Sequence, residues 1–323
     1  MLYAFVQKGN AQKVKEYLSE HQLLIKGAPV IKRGETVGFP ISKAGDLEID
    51  ASLEEVDVRA PEPAKRWRGE GGFPRAFDFI GDIAIIRLKP GYDLAEARDK
   101  AKALMEANPP IKAVFARLGP LGGQYRISSL VHLAGEERTL TLYRENGSSF
   151  WVDAATSFFS PRLSHERSRV SSLTRRGERV LDMFAGVGPF AVQIAKAGAT
   201  VFACEINPSA FSLMNKNVAL NGVQDRVRTF PGDAAILASS QARGWAQRII
   251  MNVPSSSLQF LEAAITAAAP SGATIHLYVR SSHDPTDALR GRDGLSVTRL
   301  AVLKEVSSKE KIYALDLRAN GRA

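Results

Sequence analysis

The chain has 323 residues, 45% of them hydrophobic and 24% charged, and a formal net charge of +9. That length predicts two or three domains of a soluble globular protein. No apolar run approaches the roughly 20 residues that span a bilayer, and the single cysteine, Cys204, excludes a disulfide framework and a cysteine-rich zinc site. The opening MLYAFVQKGNAQKVKEYL carries scattered charges and no long apolar core, which predicts no secretory signal and a cytoplasmic location. The positive balance favours a polyanionic partner, though weakly by itself.

In chain order, residues 1–58 alternate helical and strand-like patterns: AQKVKEYLSEHQLL has helical spacing and TVGFPIS reads as a short strand, predicting a small α+β domain. Residues 59–75, beginning RAPEPAKRWRGEGG, form the best linker in the chain. Residues 76–150 predict a second α+β unit, with the strand DIAIIRL, the helix DLAEARDKAKALMEAN and a hairpin turning at Asn146-Gly147. From about residue 178 strands and helices alternate strictly, from RVLDMF to ATIHLYV. That is the signature of a doubly wound parallel sheet, and it places a Rossmann-like catalytic domain at 151–323. Two strand-like runs, LSVTRLAVLKEVS and KIYALDLRA, come next with only a short polar link, which permits an antiparallel pair.

Between residues 160 and 180 stand Arg162, Arg167, Arg169, Arg175, Arg176 and Arg179 against Glu166 and Glu178. The run reads either as a solvated face or as a set of forked phosphate contacts. His165 reads as an exposed helix-start residue and Cys204 as strand core.

LDMFAGVGPFA, residues 181–191, reads as a buried strand, a glycine turn and a helix start. Gly186, Gly188 and Ala191 fit a dinucleotide turn and equally a turn that cradles S-adenosylmethionine. Asp182, near the strand end, suits a cationic amino group and gains nothing beside a pyrophosphate. Glu205 ends the next strand at the spacing of a ribose-binding acid. Asp233, after the third strand, can accept from an adenine amine. Each acid alone also reads as a helix cap or turn residue; three at successive strand ends favour S-adenosylmethionine over a nicotinamide cofactor. At the end of the fourth strand, MNVP places Asn252 at the ligand crevice. No aromatic residue follows Pro254, so a target exocyclic amine, which such enzymes stack on an aromatic ring, is disfavoured.

FFSPRLSHERSRV, the long string from LDMFAGVGPF to NGV, GDA and MNVP together resemble the archaeal and eukaryotic tRNA (guanine-N1)-methyltransferases, which act on the purine 3′ of the anticodon. FDFIGDIAIIRL, GGQYRISSLVHLAGEE and IKRGETVGFPIS extend the resemblance over nearly the whole chain. Departures are Val253 for the family's usual leucine, the polar run Ser255–Ser257, and Phe158 where an aromatic, often tyrosine, lies beside the cofactor.

The resemblance implies a methyltransferase that uses S-adenosylmethionine and binds tRNA through its anticodon stem-loop and body, with no metal, no membrane and no obligate protein partner. It implies Glu166 as the base that takes the guanine N1 proton, Arg126 as the group that steadies charge on O6, and Asn252 as the residue that orients the base. Cofactor contacts fall on Phe158, Arg167, Asp182, Phe184, Gly186, Val187, Gly188, Glu205, Ile206, Asp233, Ala234 and Asn252, and RNA contacts on Arg162, Arg169, Arg175, Arg176 and Pro254. Its nearest alternatives are a wyosine-pathway transfer on the same scaffold, an NAD-dependent oxidoreductase and a non-catalytic tRNA-binding protein.

Overall fold

The computed structural model describes residues 2–21, 23–25, 30–43, 49–56, 77–89, 91–119, 122–123, 125, 127, 129–307 and 309–320. The expected linker 59–75 and Arg126 lie outside the described residues. The chain divides into two compact units, Met1–Trp67 and Arg68–Ala323.

In the first unit, β1 (Leu2–Gln7), α1 (Ala11–Glu20), β2 (Ile31–Arg33), β3 (Thr36–Pro40) and β4 (Ser52–Glu55) make an antiparallel sheet of order β2-β3-β1-β4 with one helix. Val14 and Leu18, one helical turn apart, lie on the same side of α1 and join Ala4, Val6, Val37 and Phe39 in the core.

The second unit opens with β5 (Phe77–Ile80), β6 (Ile83–Arg87), α2 (Leu94–Ala107), β7 (Ala113–Arg117) and β8 (Leu130–Gly135), whose sheet runs β5-β6-β7-β8. Asp93 caps α2 by accepting from the Ala95 N–H at 2.9 Å. A hairpin comes next, β9 (Leu140–Glu145) and β10 (Ser148–Asp153), turning on Asn146 at φ 46° and Gly147 at φ 70° as an Asn-Gly turn requires.

This hairpin corrects the expected boundary at 150/151. It is fastened to the catalytic fold on its C-terminal side: Asn217 accepts from the Trp151 N–H at 2.7 Å and donates to the Trp151 carbonyl at 3.0 Å, and Asn221 does the same for Ser149 at 3.1 and 2.7 Å. Phe150 and Val152 are buried in the same core as Val180 and Phe190. Nor is the four-stranded sheet a separate body. Ile83, Ile85, Ala113 and Phe115 join that core, so residues 77–153 and the catalytic fold share one apolar interior.

The remaining elements are α3 (Ser164–Leu173), β11 (Arg179–Asp182), α4 (Pro189–Lys196), β12 (Thr200–Glu205), α5 (Pro208–Leu220), β13 (Val227–Pro231), α6 (Ala234–Ser239), β14 (Arg248–Met251), α7 (Leu261–Ala267), β15 (Ala273–Ser281), β16 (Leu295–Glu305) and β17 (Lys311–Ala319). They build a seven-stranded sheet of order β13-β12-β11-β14-β15-β17-β16. The first five strands are parallel, and β17 runs antiparallel to both β15 and β16. Alternate residues supply two cores, one with Val180, Val201 and Ala203, the other with Leu181, Cys204, Ile249 and Met251. Strand order reverses at β11 and β14, and the crevice beyond their C-terminal ends is where such sheets hold ligands.

Candidate active site

β11, β12 and β14 end nearly level, with Asp182 registered against Ala203 on one side and Ile250 on the other. The chain leaves β11 in a turn tied to both neighbours: the Met183 N–H donates to the Ile250 carbonyl at 3.1 Å and the Ala185 N–H to the Cys204 carbonyl at 2.9 Å. Gly186 at φ +56° and Gly188 at φ +86° occupy the left-handed region that side chains disfavour. A Cβ on Gly188 would also meet Met214 Cγ at 3.1 Å. Gly188 then begins α4, with Pro189 in the first turn where its missing N–H costs nothing.

Glu205 fixes this turn. Its Oε2 accepts from the Gly186 N–H at 2.7 Å and its Oε1 from the Asn207 N–H at 2.8 Å. Asn207 caps α5, accepting from the Ser209 N–H at 3.0 Å, and its Nδ2 donates to the Thr156 carbonyl at 2.7 Å. The segment ahead of Phe158 is thereby held to the strand edge. The Phe158 carbonyl lies 3.7 Å from where a Gly186 Cβ would stand. Burial raises the Glu205 pKa, against the pull of the Asn207, Gly186 and Ile206 N–H groups.

Asp182 is fully buried, and among the described residues neither carboxylate oxygen has a hydrogen-bond partner within ordinary geometry. Burial pushes its pKa up to about 7, with the Glu205 charge adding and the more distant Phe184 and Ala191 N–H groups opposing. An orphaned buried acid is costly unless a ligand completes it. Together with Glu205 and a turn stripped of side chains, it suits a ligand with a cationic group and hydroxyl donors. A pyrophosphate would meet two acids instead. The residues present therefore fit S-adenosylmethionine.

The other expected cofactor residues divide. Phe184 is half-buried and packs edge-on against Phe260 at 5.0 Å, and Ile206 is half-buried. Val187 is wholly buried and its carbonyl accepts from Asn217 Nδ2 at 2.9 Å, so only its backbone shapes the turn. Asp233 is exposed and caps α6, accepting from the Ala235 N–H at 2.7 Å, beside buried Ala234. Asn252 is half-buried directly beyond β14, and the Pro254 carbonyl accepts from the Arg280 N–H at 2.8 Å. The buried Ser257 hydroxyl closes this loop on the Met251 and Val253 carbonyls at 3.1 and 2.9 Å, a backbone role for that part of the polar run.

The segment around α3 corrects two expectations, at Arg167 and Arg169, and leaves Arg162 accessible. Arg167, expected at the cofactor, is 2% exposed, forks onto Glu145 at 2.5 and 2.6 Å and reaches the Ser160 carbonyl at 3.2 Å. It locks the Phe158–Ser160 approach from behind. Arg169, expected to meet RNA, lies between Glu166 and Asp316 with both carboxylates paired to its guanidinium at 2.6–3.0 Å. Arg162 spends its Nε on Asp78 Oδ1 at 2.6 Å while staying half-exposed. Arg175 and Arg176 are exposed, as are phosphate-contacting residues in general, and so is His165.

Glu166 is 3% exposed and accepts from Arg169 and, at 3.0 Å, from the Tyr278 hydroxyl. Burial alone would raise its pKa, but the Arg169 hydrogen bonds and charge, Tyr278 and the Arg299 charge outweigh it and leave it below the usual carboxylate range. Behind Arg169, Asp316 meets His276 Nδ1 at 2.6 Å, and His276 Nε2 faces Arg248 at 2.6 Å. Burial lowers the His276 pKa, which matches a neutral ring that donates to Asp316 and accepts from Arg248. Cys204 is core as expected, its thiol pushed up to about 12 by burial.

Asn207, Asn217 and Tyr278 were not foreseen. The pair Asn207-Pro208 carries a readable helix-start signal, a capping residue followed by proline. Nothing in sequence spacing marks Tyr278, which reads as strand core. Among the described residues no group of three or more His, Cys, Asp or Glu could hold a metal, and no helix is long and apolar enough to cross a membrane.

Comparison with known proteins agrees with this geometry. Residues 141–290 match the family model described as TRM5/TYW2 methyltransferase domain, and residues 68–139 match one described as TYW2 N-terminal domain. The Trm5b tRNA (guanine(37)-N(1))-methyltransferase of Pyrococcus abyssi is 39% identical over 251 residues, 75% of this chain and 72% of its own. That of Methanocaldococcus jannaschii is 30% identical over 336 residues, 98% of each chain. Among solved structures, the complex of aTrm5 and tRNALeu superposes with a TM-score of 0.72 at 28% identity, over 99% of this chain and 100% of that one.

Proposed function

The chain belongs to the TRM5/TYW2 family of S-adenosylmethionine-dependent tRNA methyltransferases, and on that premise we propose that it methylates N1 of the guanosine at position 37, 3′-adjacent to the anticodon. The observation that carries the reading is the strand edge itself. A buried, unpaired Asp182, a ribose-competent Glu205 and a bare glycine turn stand together where β11 and β12 end. S-adenosylmethionine supplies a methyl carbon made electrophilic by a positive sulfur. Asp182 suits its cationic amino group and Glu205 its ribose hydroxyls, while Phe158 and the loop that Asn207 pins would cover it.

Guanine N1 carries a proton at neutral pH, so the enzyme must remove it and stabilise the charge that builds on O6. Glu166 is the proposed base. It is ionised at neutral pH, and its carboxylate is held at a fixed place by Arg169 and Tyr278. Arg126 is proposed to face O6, and Asn252, at the end of β14, to hold the base edge with N1 aimed at the methyl group. A purine in an anticodon loop is less costly to extrude than one in a duplex. Arg175 and Arg176 are proposed to add phosphate contacts, and a cytoplasmic location is part of the same proposal.

The test is transfer of labelled methyl to tRNA transcripts that differ only at position 37. Guanosine is accepted and adenosine refused, and equal labelling of both overturns the assignment. A second reading, aminocarboxypropyl transfer or methylation of a tricyclic intermediate, has the match of residues 68–139 to the TYW2 N-terminal domain in its favour. The mass of the modified nucleoside separates the two.

A further inference from the structure

At the end of the four-stranded sheet, Arg87 of β6 and Arg117 of β7 stand in direct register across a parallel pair. Like charges placed opposite each other on neighbouring strands repel. Asp78 of β5 pairs with Ile85, two residues from Arg87 and so on the same face of the sheet. Two more cations reach this corner from the catalytic fold. Arg162, ahead of α3, gives its Nε to Asp78. Lys304 of β16 comes directly after Leu303, which packs against the shared core that the four-stranded sheet also lines. The Lys304 ammonium is pushed down by burial first, then by Arg162 and Arg87, and last by Arg117, with Asp78 alone pulling it back. The Arg117 guanidinium is also pushed down by burial, with Asp78 opposing and Arg87 adding. Its Nε is buried and has no hydrogen-bond partner among the described residues.

A corner built only to join the sheet to the catalytic fold would match its cations with acids. Among the described residues, four cations share one carboxylate here, one oxygen of that carboxylate is already given to Arg162, and a buried donor has no acceptor. We propose that Arg87, Arg117, Arg162 and Lys304 form a binding site for one backbone phosphate of the tRNA. The site lies on the seam between the four-stranded sheet and the β16 edge. A phosphate oxygen supplies the acceptor that Arg117 Nε lacks, and its charge relieves the Arg87–Arg117 opposition. Arg87 and Lys304 are exposed, which leaves the corner open to a strand of RNA. The proposal rests on the reading of tRNA as the substrate.

The test compares wild type with Arg87→Gln and Lys304→Gln in the full chain. The readouts are the Kd for unmodified tRNA transcript at several salt concentrations, S-adenosylmethionine affinity, the melting temperature of the free protein and methylation of the transcript. Each variant should bind tRNA more weakly, on the order of tenfold, the scale of one charge-assisted contact. Each should also flatten the salt dependence by about one released counterion. Cofactor affinity should not change, and the melting temperature should hold or rise because an opposed charge has gone. The proposal is overturned if tRNA affinity and salt slope stay at wild-type values, or if melting temperature and cofactor affinity fall together with RNA binding, as a structural joint predicts. Wild type that methylates the transcript while both variants bind it unchanged removes the phosphate site alone. Wild type that neither binds nor methylates it removes the functional reading and this site with it.

Discussion

The acids at the strand edge and the acids around α3 are handled in opposite ways by one fold. Around α3, Glu166 and Asp316 are each met by Arg169, with Tyr278 and His276 completing them, and both sit below the usual carboxylate range despite burial. At the strand edge, Asp182 has no cation and no hydrogen-bond partner within ordinary geometry among the described residues, and burial lifts it to about 7. Burial alone therefore does not decide the charge of an acid here; the presence of a nearby cation does. The saturated region is finished without a ligand. The strand edge is not, and what it lacks is a positive group and hydroxyl donors, the chemistry of S-adenosylmethionine.

The comparison breaks most sharply at Glu166, because that residue is saturated and is also the proposed base. Glu166→Gln should slow single-turnover methyl transfer by about a hundred- to ten-thousand-fold, with tRNA affinity little changed, and the rate should lose its dependence on carboxylate ionisation. A variant rate within about threefold of wild type would return Glu166 to a purely architectural part.

Asp182→Asn gives the next largest effect, in stability. The folded pKa lies above the ordinary value of 3.8, at about 7, so the native state holds a proton that the unfolded chain has released. Wild-type stability should therefore fall as pH rises from about 4 to 7, by up to roughly 1.4 kcal/mol per pH unit. The amide has no such slope. Melting curves should coincide near pH 4, separate with the variant more stable by pH 7, and draw together again with saturating S-adenosylmethionine. Parallel curves across that range would show that Asp182 has a partner.

Glu205→Ala removes an acceptor already tied to two backbone N–H groups. It should weaken S-adenosylmethionine by roughly 1–3 kcal/mol in calorimetry, and unchanged affinity would move the ribose elsewhere. The smallest effect belongs to Arg175→Ala with Arg176→Ala, which should flatten the salt dependence of tRNA binding by about one counterion each. An unaltered slope makes them ordinary solvated arginines.

The alternation of strands and helices was legible because a buried parallel sheet leaves long apolar runs with glycine turns between them, and the turn at Gly186–Gly188 sits where the sequence places it. The arginines were not legible. Arg162, Arg167 and Arg169 look alike in a run, yet one is half-exposed, one is partly buried and one is fully buried. What separates them is acids brought from far along the chain: Asp78, Glu145 and Asp316. The hairpin was assigned to the wrong neighbour for a related reason. Its own alternation is complete, and contacts with later elements, Asn217 and Asn221 at α5 among them, show where it is fastened.

β17 lies between β15 and β16, although it is made after both. A ribosome therefore delivers β16 before the strand that gives it a place in the sheet. Until then β16, with Val297, Leu300 and Val302 exposed even in the finished sheet, has no ladder to join. β16 gains its ladder once β17 is made, across the short link in which the Val306 N–H donates to the Glu310 carbonyl at 2.8 Å. The register shifts between Val297 and Arg299 and between Val302 and Lys304 twist that outer strand. They also make it a poor template for a second nascent chain during that interval.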